Sequence, residues 1–328
     1  MLRFAYQRLL LRPAALGLLG VVGLSCTRPA TTSQRLAPVP DFSVLTAAPA
    51  ELVGPGTLST EANEYNPSLT PDGRTLVFAR SKPDFQDAHI FISRMERGQW
   101  QAPQPVAFTD GRYADSDPTF SPDGRTLYFA SDRPTAGRDS TRRDLDLWQV
   151  TWNGRTWGPP QHLGPDINGK GMELGPSFHE GYLYFSSARR SGHGGLDAYR
   201  SRLVQGRFEA PENLGPELNS KASESDFEVT RDGRWLLFWS DRGNGLGGGD
   251  LYAAPRTETG WGAAVHLPGG LNSAQFDFTP TLSADGQWLY FGSMRTAAEG
   301  APANVLNGQS NLYRVRLQTG KAHASASR

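Results

Sequence analysis

One β-hairpin, repeated along the chain at a nearly fixed step, limits what this sequence can fold into. In its clearest copy Pro118-Thr119-Phe120-Ser121 reads as a short strand. Pro122-Asp123-Gly124 reads as a turn, with proline presetting φ and glycine taking the left-handed position. Leu127-Tyr128-Phe129-Ala130 returns as a strand apolar on both faces, and such a strand is covered on both faces. The same pattern starts at Asn66, Gly175, Asp226 and Thr279, with turn glycines at Gly73, Gly124, Gly181, Gly233 and Gly286. The steps between these glycines are 51, 57, 52 and 53 residues. A fixed period in that range marks stacked or radial repeats, and four short strands per period mark a propeller blade.

Each hairpin is followed by a loop and a third strand, at Ile90-Phe91-Ile92, Leu145 to Trp148, Ala198-Tyr199, Leu251 to Ala253 and Leu312 to Val315. A polar residue stands near the start of each third strand (His89, Asp146, Asp197, Asp250, Asn311), placed to bond local backbone. Trp100, Trp157, Phe208 and Trp261 open a fourth strand in four of the repeats and are expected to pack between blades. The fifth repeat has no fourth strand. Glu51 to Pro67 matches the blade-to-blade stretch Glu212 to Phe227, so the N-terminal segment is expected to supply the missing strand and close the ring. The expected fold is therefore all-β, a five-bladed β-propeller of four-stranded blades. A six-bladed ring is the alternative and needs a repeat that the chain does not display.

The string S-P-D-G-R-T-L-Y-F-A-S-D-R from Ser121 and G-G-G-D-L-Y from Gly247 resemble the TolB-like, or WD-forty-like, propeller repeat of bacterial envelope proteins. The resemblance spans roughly residues 50–316. It implies a propeller of the bacterial envelope and is weak for activity, because propellers host many functions.

The two ends read differently. Arg3, Arg8 and Arg12 precede an apolar run of 11 residues, Ala14 to Leu24, which is too short to span a bilayer and suits a signal peptide over residues 1–25. It ends in Gly23-Leu24-Ser25-Cys26, and Cys26 is the only cysteine. That site resembles a bacterial lipobox, with Gly23 where the pattern usually has leucine, and implies lipidation of Cys26. Thr27 follows it, not the aspartate of an inner-membrane retention signal. Residues 26–50, rich in Pro, Thr, Ser and Ala, read as a flexible tether; 51–317 as the propeller; 318–328 as a disordered tail. The expected location is the periplasm or outer membrane.

Formal charge is zero, 33 bases against 33 acids, and no basic patch appears, so nucleic acid is not an expected partner. Cleavage before Cys26 removes three arginines, leaving 30 against 33, or −3. No G-x-S-x-G elbow, H-E-x-x-H or cysteine cluster is present, so neither a serine hydrolase nor a dedicated metal site is expected, nor any cofactor. Arabinanase-like glycosidases also use five blades, but they need unlike carboxylates placed singly in the channel. The acids that can be placed are periodic: Glu64, Asp115, Glu173, Glu224 and Asp277. Each is matched by a base the same distance beyond the turn glycine: Lys82, Arg133, Arg189, Arg242 and Arg295. These pairs are expected to lie across the hairpins as an exposed structural rung, or as a polar ring that binds a ligand. Trp239 stands where other repeats have Ala79, Ala130, Ser186 and Gly292, so it either stacks on a sugar or fills a wider gap. The expected activity is that of a monomeric binding or scaffold module for an envelope protein or glycan, with the membrane reached only through the anchor. The second-to-third loops, long at 134–143 and 296–310, are the expected docking face.

Overall fold

The computed structural model describes residues 39–135, 144–296, 305 and 307–319. They form five antiparallel sheets, the blades of a five-bladed propeller. The inner strands are Asn63–Leu69, Asp115–Phe120, Glu173–His179, Glu224–Val229 and Asp277–Leu282. Each pairs with a second strand (Thr75–Ser81, Thr126–Ser131, Tyr182–Ser187, Trp235–Ser240, Trp288–Ser293) and that with a third (His89–Glu96, Asp146–Thr151, Asp197–Val204, Asp250–Pro255, Asn311–Thr319). The outer strands are two residues long: Gln104–Pro105, Gln161–His162, Glu212–Asn213, Val265–His266 and, in the last blade, Glu51–Leu52.

The sequence dictates the turns. In four blades an aspartate locks its own turn. Thr70 Oγ1 donates to Asp72 Oδ1 at 2.6 Å and the Arg74 N–H to the same oxygen at 3.0 Å, and Ser121/Asp123 repeats the arrangement. The hydroxyl bonds hold Asp72 and Asp123 below the usual carboxylate range. The second strands carry the core. Phe78, Phe129, Phe185, Phe238 and Phe291 occupy one slot and are fully buried. Trp100, Trp157 and Trp261 pack between blades as expected; Trp261 lies 6.4 Å from Tyr184 of the preceding blade.

The last blade closes as the sequence predicts. Leu52 pairs with Tyr313 and Glu51 with Arg314, and the Val53 N–H donates to the Leu312 carbonyl at 2.8 Å. The ordered packing begins earlier than Glu51, inside the stretch read as tether. Leu45–Ala47 pairs with the far end of the same third strand. Phe42 is buried against Trp235, 5.6 Å between rings, and the Val39 carbonyl accepts from Arg234 Nη2 at 2.9 Å. Apolar residues every third position explain it: Val39, Phe42 and Leu45 all point into the core cluster of the last two blades. Phe42→Ala is expected to cost about 3 kcal/mol, a core-sized penalty, while exposed Val44→Ala stays within about 0.5 kcal/mol. Chemical denaturation of the two variants checks this, and equal stabilities would return the segment to a tether.

Candidate functional site

The axis of the ring is built from one feature repeated five times. Every inner strand contains a β-bulge, centred on Asn66, Asp117, Gly175, Asp226 or Thr279. These five residues have φ between 50° and 56°. Only Gly175 adopts that region without strain, and a β-branched residue such as Thr279 is a true outlier. Proline follows four of the five, a position open to it because an inner strand is a sheet edge.

The bulges aim polar groups at the neighbouring blades. The Asn66 N–H donates to Thr279 Oγ1 at 3.2 Å, the Phe120 N–H to Ser68 Oγ at 3.1 Å, and the Gly175 N–H to Asp117 Oδ2 at 3.1 Å. Ser186 Oγ donates to Ser225 Oγ at 2.7 Å, and the Leu282 N–H to Glu228 Oε1 at 2.8 Å. All five blade interfaces are thus bridged beside the channel. Across it, Asn66 Nδ2 donates to Asp226 Oδ1 at 3.2 Å, and Trp239 Nε1 donates to Asp226 Oδ2. Trp239 therefore fills its wide slot by holding a carboxylate and packing edge-on against Phe276, 4.9 Å away.

The channel acids Asp117, Asp226 and Glu228 are not among the candidates that the sequence pattern singles out. A signal for two of them exists: Asp117 and Asp226 occupy a column otherwise held by Asn66, Gly175 and Thr279. Periodicity hides it, because it selects the acids that repeat. Burial pushes the Asp117 carboxyl up to about 6 and Glu228 up to about 7. Asp226 is raised well above the ordinary range, first by burial and then by the charge of Asp117. The space between these groups is a tunnel of about 20 Å3, lined by Asn66, Gly175, Asp226, Glu228 and Thr279 among others. That is room for about one water molecule. Toward the turns it widens into a basin of about 580 Å3 walled by Leu69, Phe120, Phe178, Val229 and Leu282.

The periodic charge pairs are real but not exposed. Arg133 pairs with Asp115, Arg242 with Glu224 at 2.9 Å, Arg295 with Asp277 at 2.7 Å, and Arg189 with Glu173 at 3.5 Å. The acid side chains are 0% exposed, so the expectation of a solvent-facing rung is corrected. Each guanidinium also bonds the carbonyl of a blade-to-blade crossover, at Phe108, Ile167, Leu218 or Leu271. Each stacks on the second-strand phenylalanine, and three of the four also on a third-strand tyrosine.

Blade one departs. Lys82 pairs with Asp87 of its own loop at 2.6 Å, and Glu64 pairs with Arg80 at 3.0 Å. Arg80 lies directly opposite Glu64 in the register, so it reaches the acid without a detour. Its guanidinium stacks on Phe78 and Phe91, the same place reached from another residue. Burial raises Glu64 and Glu173 against the pull of their partners.

Three of the five polar residues at the third-strand starts, Asp197, Asp250 and Asn311, bond local backbone as expected, whereas Asp146 meets the His162 ring at 3.0 Å and the buried His89 Nδ1 has no hydrogen-bond partner among the described residues. Asp250 accepts from the Leu246 and Gly247 N–H groups at 2.8 and 3.1 Å, and Asn311 Nδ2 donates to the Val305 carbonyl at 2.8 Å. Among the described residues no group of three His, Cys, Asp or Glu side chains could hold a metal ion. Cys26 and most of the two long loops, at 136–143, 297–304 and 306, lie outside the described residues.

Two outcomes are expected. Arg242→Met should cost about 3–5 kcal/mol by leaving Glu224 buried without its partner. The double variant Glu224→Gln/Arg242→Met should cost less than the sum of the singles, so strict additivity in denaturation would show the two are uncoupled. The second concerns pH. A carboxyl whose pKa is raised on folding stabilises the fold fully below its unfolded value near 4, and that contribution is lost as pH rises through the folded value. For Asp117 and Glu228 the loss runs from about pH 4 to about 6 and 7. Glu228→Gln should therefore raise stability at pH 8 by on the order of 2 kcal/mol and flatten the decline of melting temperature between pH 5 and 8. A variant with the wild-type slope would remove Glu228 as its source.

Among solved structures, the chain is similar to that of a BT0996–RGII complex (TM-score 0.55, 10% identity, 88% of this protein and 95% of that one). It is also similar to a thermostable family-43 glycoside hydrolase (TM-score 0.52, 11% identity, 82% and 92%). TolB from Acinetobacter baumannii matches with a TM-score of 0.47 and 15% identity, over 85% of this protein and 65% of that one, so this chain spans just under two thirds of TolB's length. At these identities the likeness is one of fold. No family model and no curated protein matches the chain, so the kinship of its repeats to the TolB type stays a resemblance.

Proposed function

We propose that this protein is an exported propeller of the bacterial envelope, anchored through lipidated Cys26, that works as a binding or scaffold module for an envelope protein or glycan. The observation that carries the binding role is where apolar surface is left uncovered. Five large apolar side chains are exposed among the described residues. Three of them, Phe85 at 41%, Met172 at 39% and Leu246 at 59%, sit on loops of the face that also carries the second-to-third loops. Exposed apolar groups on a rigid scaffold are what a docking surface offers. Phe85 rests on Tyr65 and Phe278 at the channel mouth, with ring centroids 5.0 and 5.8 Å apart, so it is presented in a fixed position.

The rival reading, a glycosidase, has an observation in its favour, because unlike carboxylates do converge in the channel. Their surroundings weigh against it. Asp117 and Glu228 accept backbone N–H groups of the next blade, and Asp226 is held by Trp239 and Asn66. The tunnel between them holds about one water, whereas a ligand site takes several hundred Å3. A sugar ring does not fit between these acids, and of the three only Glu228 also lines the wider basin on the turn side.

Three measurements test the proposal together. Cys26→Ala should leave the fold intact and release the protein from the membrane fraction; a variant that still pellets with membranes ends the anchor. Crosslinked pull-down from membranes should recover a partner that Phe85→Ser/Leu246→Ser loses at unchanged melting temperature. A partner kept by that variant, yet lost on changing Arg74 and Arg125 beside the turns, puts the docking face on the other side. Arabinan oligosaccharides should release no reducing ends, and hydrolysis that disappears in Asp226→Asn would restore the enzyme.

A further inference from the structure

A cleft of about 120 Å3 opens between blades three and four on the turn side, lined by His179, Glu180, Tyr182, Tyr184, Arg200 and Val229 together with Gly233, Arg256 and Trp261. Its polar groups are donors and cations with too few acceptors. Trp261 is 5% exposed and its buried Nε1–H has no hydrogen-bond partner among the described residues. His179 Nε2 is buried and equally without one. The Arg256 guanidinium lies 4.9 Å over the Trp261 ring and is in no ion pair among the described residues. Arg200 stacks on Tyr182 at 4.7 Å and is held by Glu212. The one acid in the lining, Glu180, has an 80% exposed side chain, 3.8 Å from His179 Nε2 at its nearest.

We propose that this cleft binds a phosphate-class oxyanion, as the free ion or as a phosphate monoester, between Arg256, Arg200, His179 and the Trp261 indole N–H. A buried donor without an acceptor and an unpaired guanidinium beside it are both answered by one multivalent acceptor, and tetrahedral oxyanions accept from several donors at once. A cleft of this volume has ample room for a phosphoryl group. The ester's remainder would leave past exposed Glu180 and Arg256. Burial lowers the His179 pKa, and Arg256 adds to this against the opposing charges of Glu180 and Asp232, so the imidazole is neutral at pH 7 and offers one N–H. The site is independent of the docking face proposed above, which lies on the other side of the ring.

The test is calorimetric titration of the full chain at low ionic strength with inorganic phosphate, with sn-glycerol 3-phosphate, and with chloride as the salt control. Saturable binding of phosphate or of the ester is expected, weakened about tenfold or more in Arg256→Gln. Glu180→Gln should tighten it by removing the acid at the rim, and Trp261→Phe should weaken it without loss of fold. Arg256 and Glu180 are exposed, so neither change threatens folding. Binding of phosphate alone assigns the free ion, and binding of both assigns the phosphoryl group of an ester. Absence of saturable binding by either, or an Arg256→Gln variant that binds as tightly as the parent, overturns the site.

Discussion

A closed ring of blades leaves one edge of each sheet facing the axis, and the polar backbone of that edge must be satisfied without a strand to pair with. A buried N–H with no acceptor costs about 1–3 kcal/mol, so five inner strands carry a substantial demand. This chain meets it with side chains of the neighbouring blade. Ser68, Asp117, Glu228 and Thr279 each accept a backbone N–H from across an interface. The bulges exist to aim these groups, and the positive φ they require explains Asn and Asp in the column and the strain at Thr279. Two of the acceptors are carboxyls in a low-dielectric channel, and their raised pKa values follow. Acids whose position suggests catalysis are here part of the ring's hydrogen bonding.

The crossover end of the same interfaces is held by a second device. Each guanidinium joins an acid of the inner strand to the carbonyl of the crossover that leads into its blade, between stacked aromatic rings. Guanidinium suits the position because it stays charged and offers several donors in a plane that also stacks. Blade one shows that the position matters more than the residue that reaches it. Arg80 fills the place from two residues earlier, and Lys82, whose ammonium is a poor substitute for a planar fork, turns to Asp87.

The sequence made the architecture legible because turn glycines, strand phenylalanines and crossover motifs recur, and recurrence survives any local ambiguity. Blade number, closure by Glu51–Leu52 and four of the five charge pairs could all be read in this way. Burial of those pairs could not, since a pattern of alternating charge looks the same on a surface and beneath a crossover. The packing of Val39, Phe42 and Leu45 was hidden by the Pro, Thr and Ala around them, a composition that reads as tether although three apolar side chains at a spacing of three suffice to dock it. The channel acids are hidden for a related reason: they vary between repeats, and periodicity carries no information about what does not repeat.

That same logic locates chemistry on this fold. A repeat scaffold keeps in every unit what the ring needs, so a feature present in one unit alone is free of that duty. Four turns are locked by an aspartate bonded to a serine or threonine and to backbone. Blade three has instead the two-residue turn Glu180-Gly181, with no such aspartate. The shorter turn leaves His179 facing the next blade, next to the Gly233 turn, where a Cβ would stand 3.7 Å from its Nε2. Trp261 and Arg256 complete the cleft from the following hairpin, whose Arg256–Trp261 bridge encloses four residues as the Trp152–Trp157 bridge does in blade two, against the two residues Arg97-Gly98 in blade one and Gln205-Gly206 in blade three. One departure from the repeat, the shortened turn of blade three, therefore meets the hairpin of blade four at one blade interface, and together they bring cations and unpartnered donors into one space.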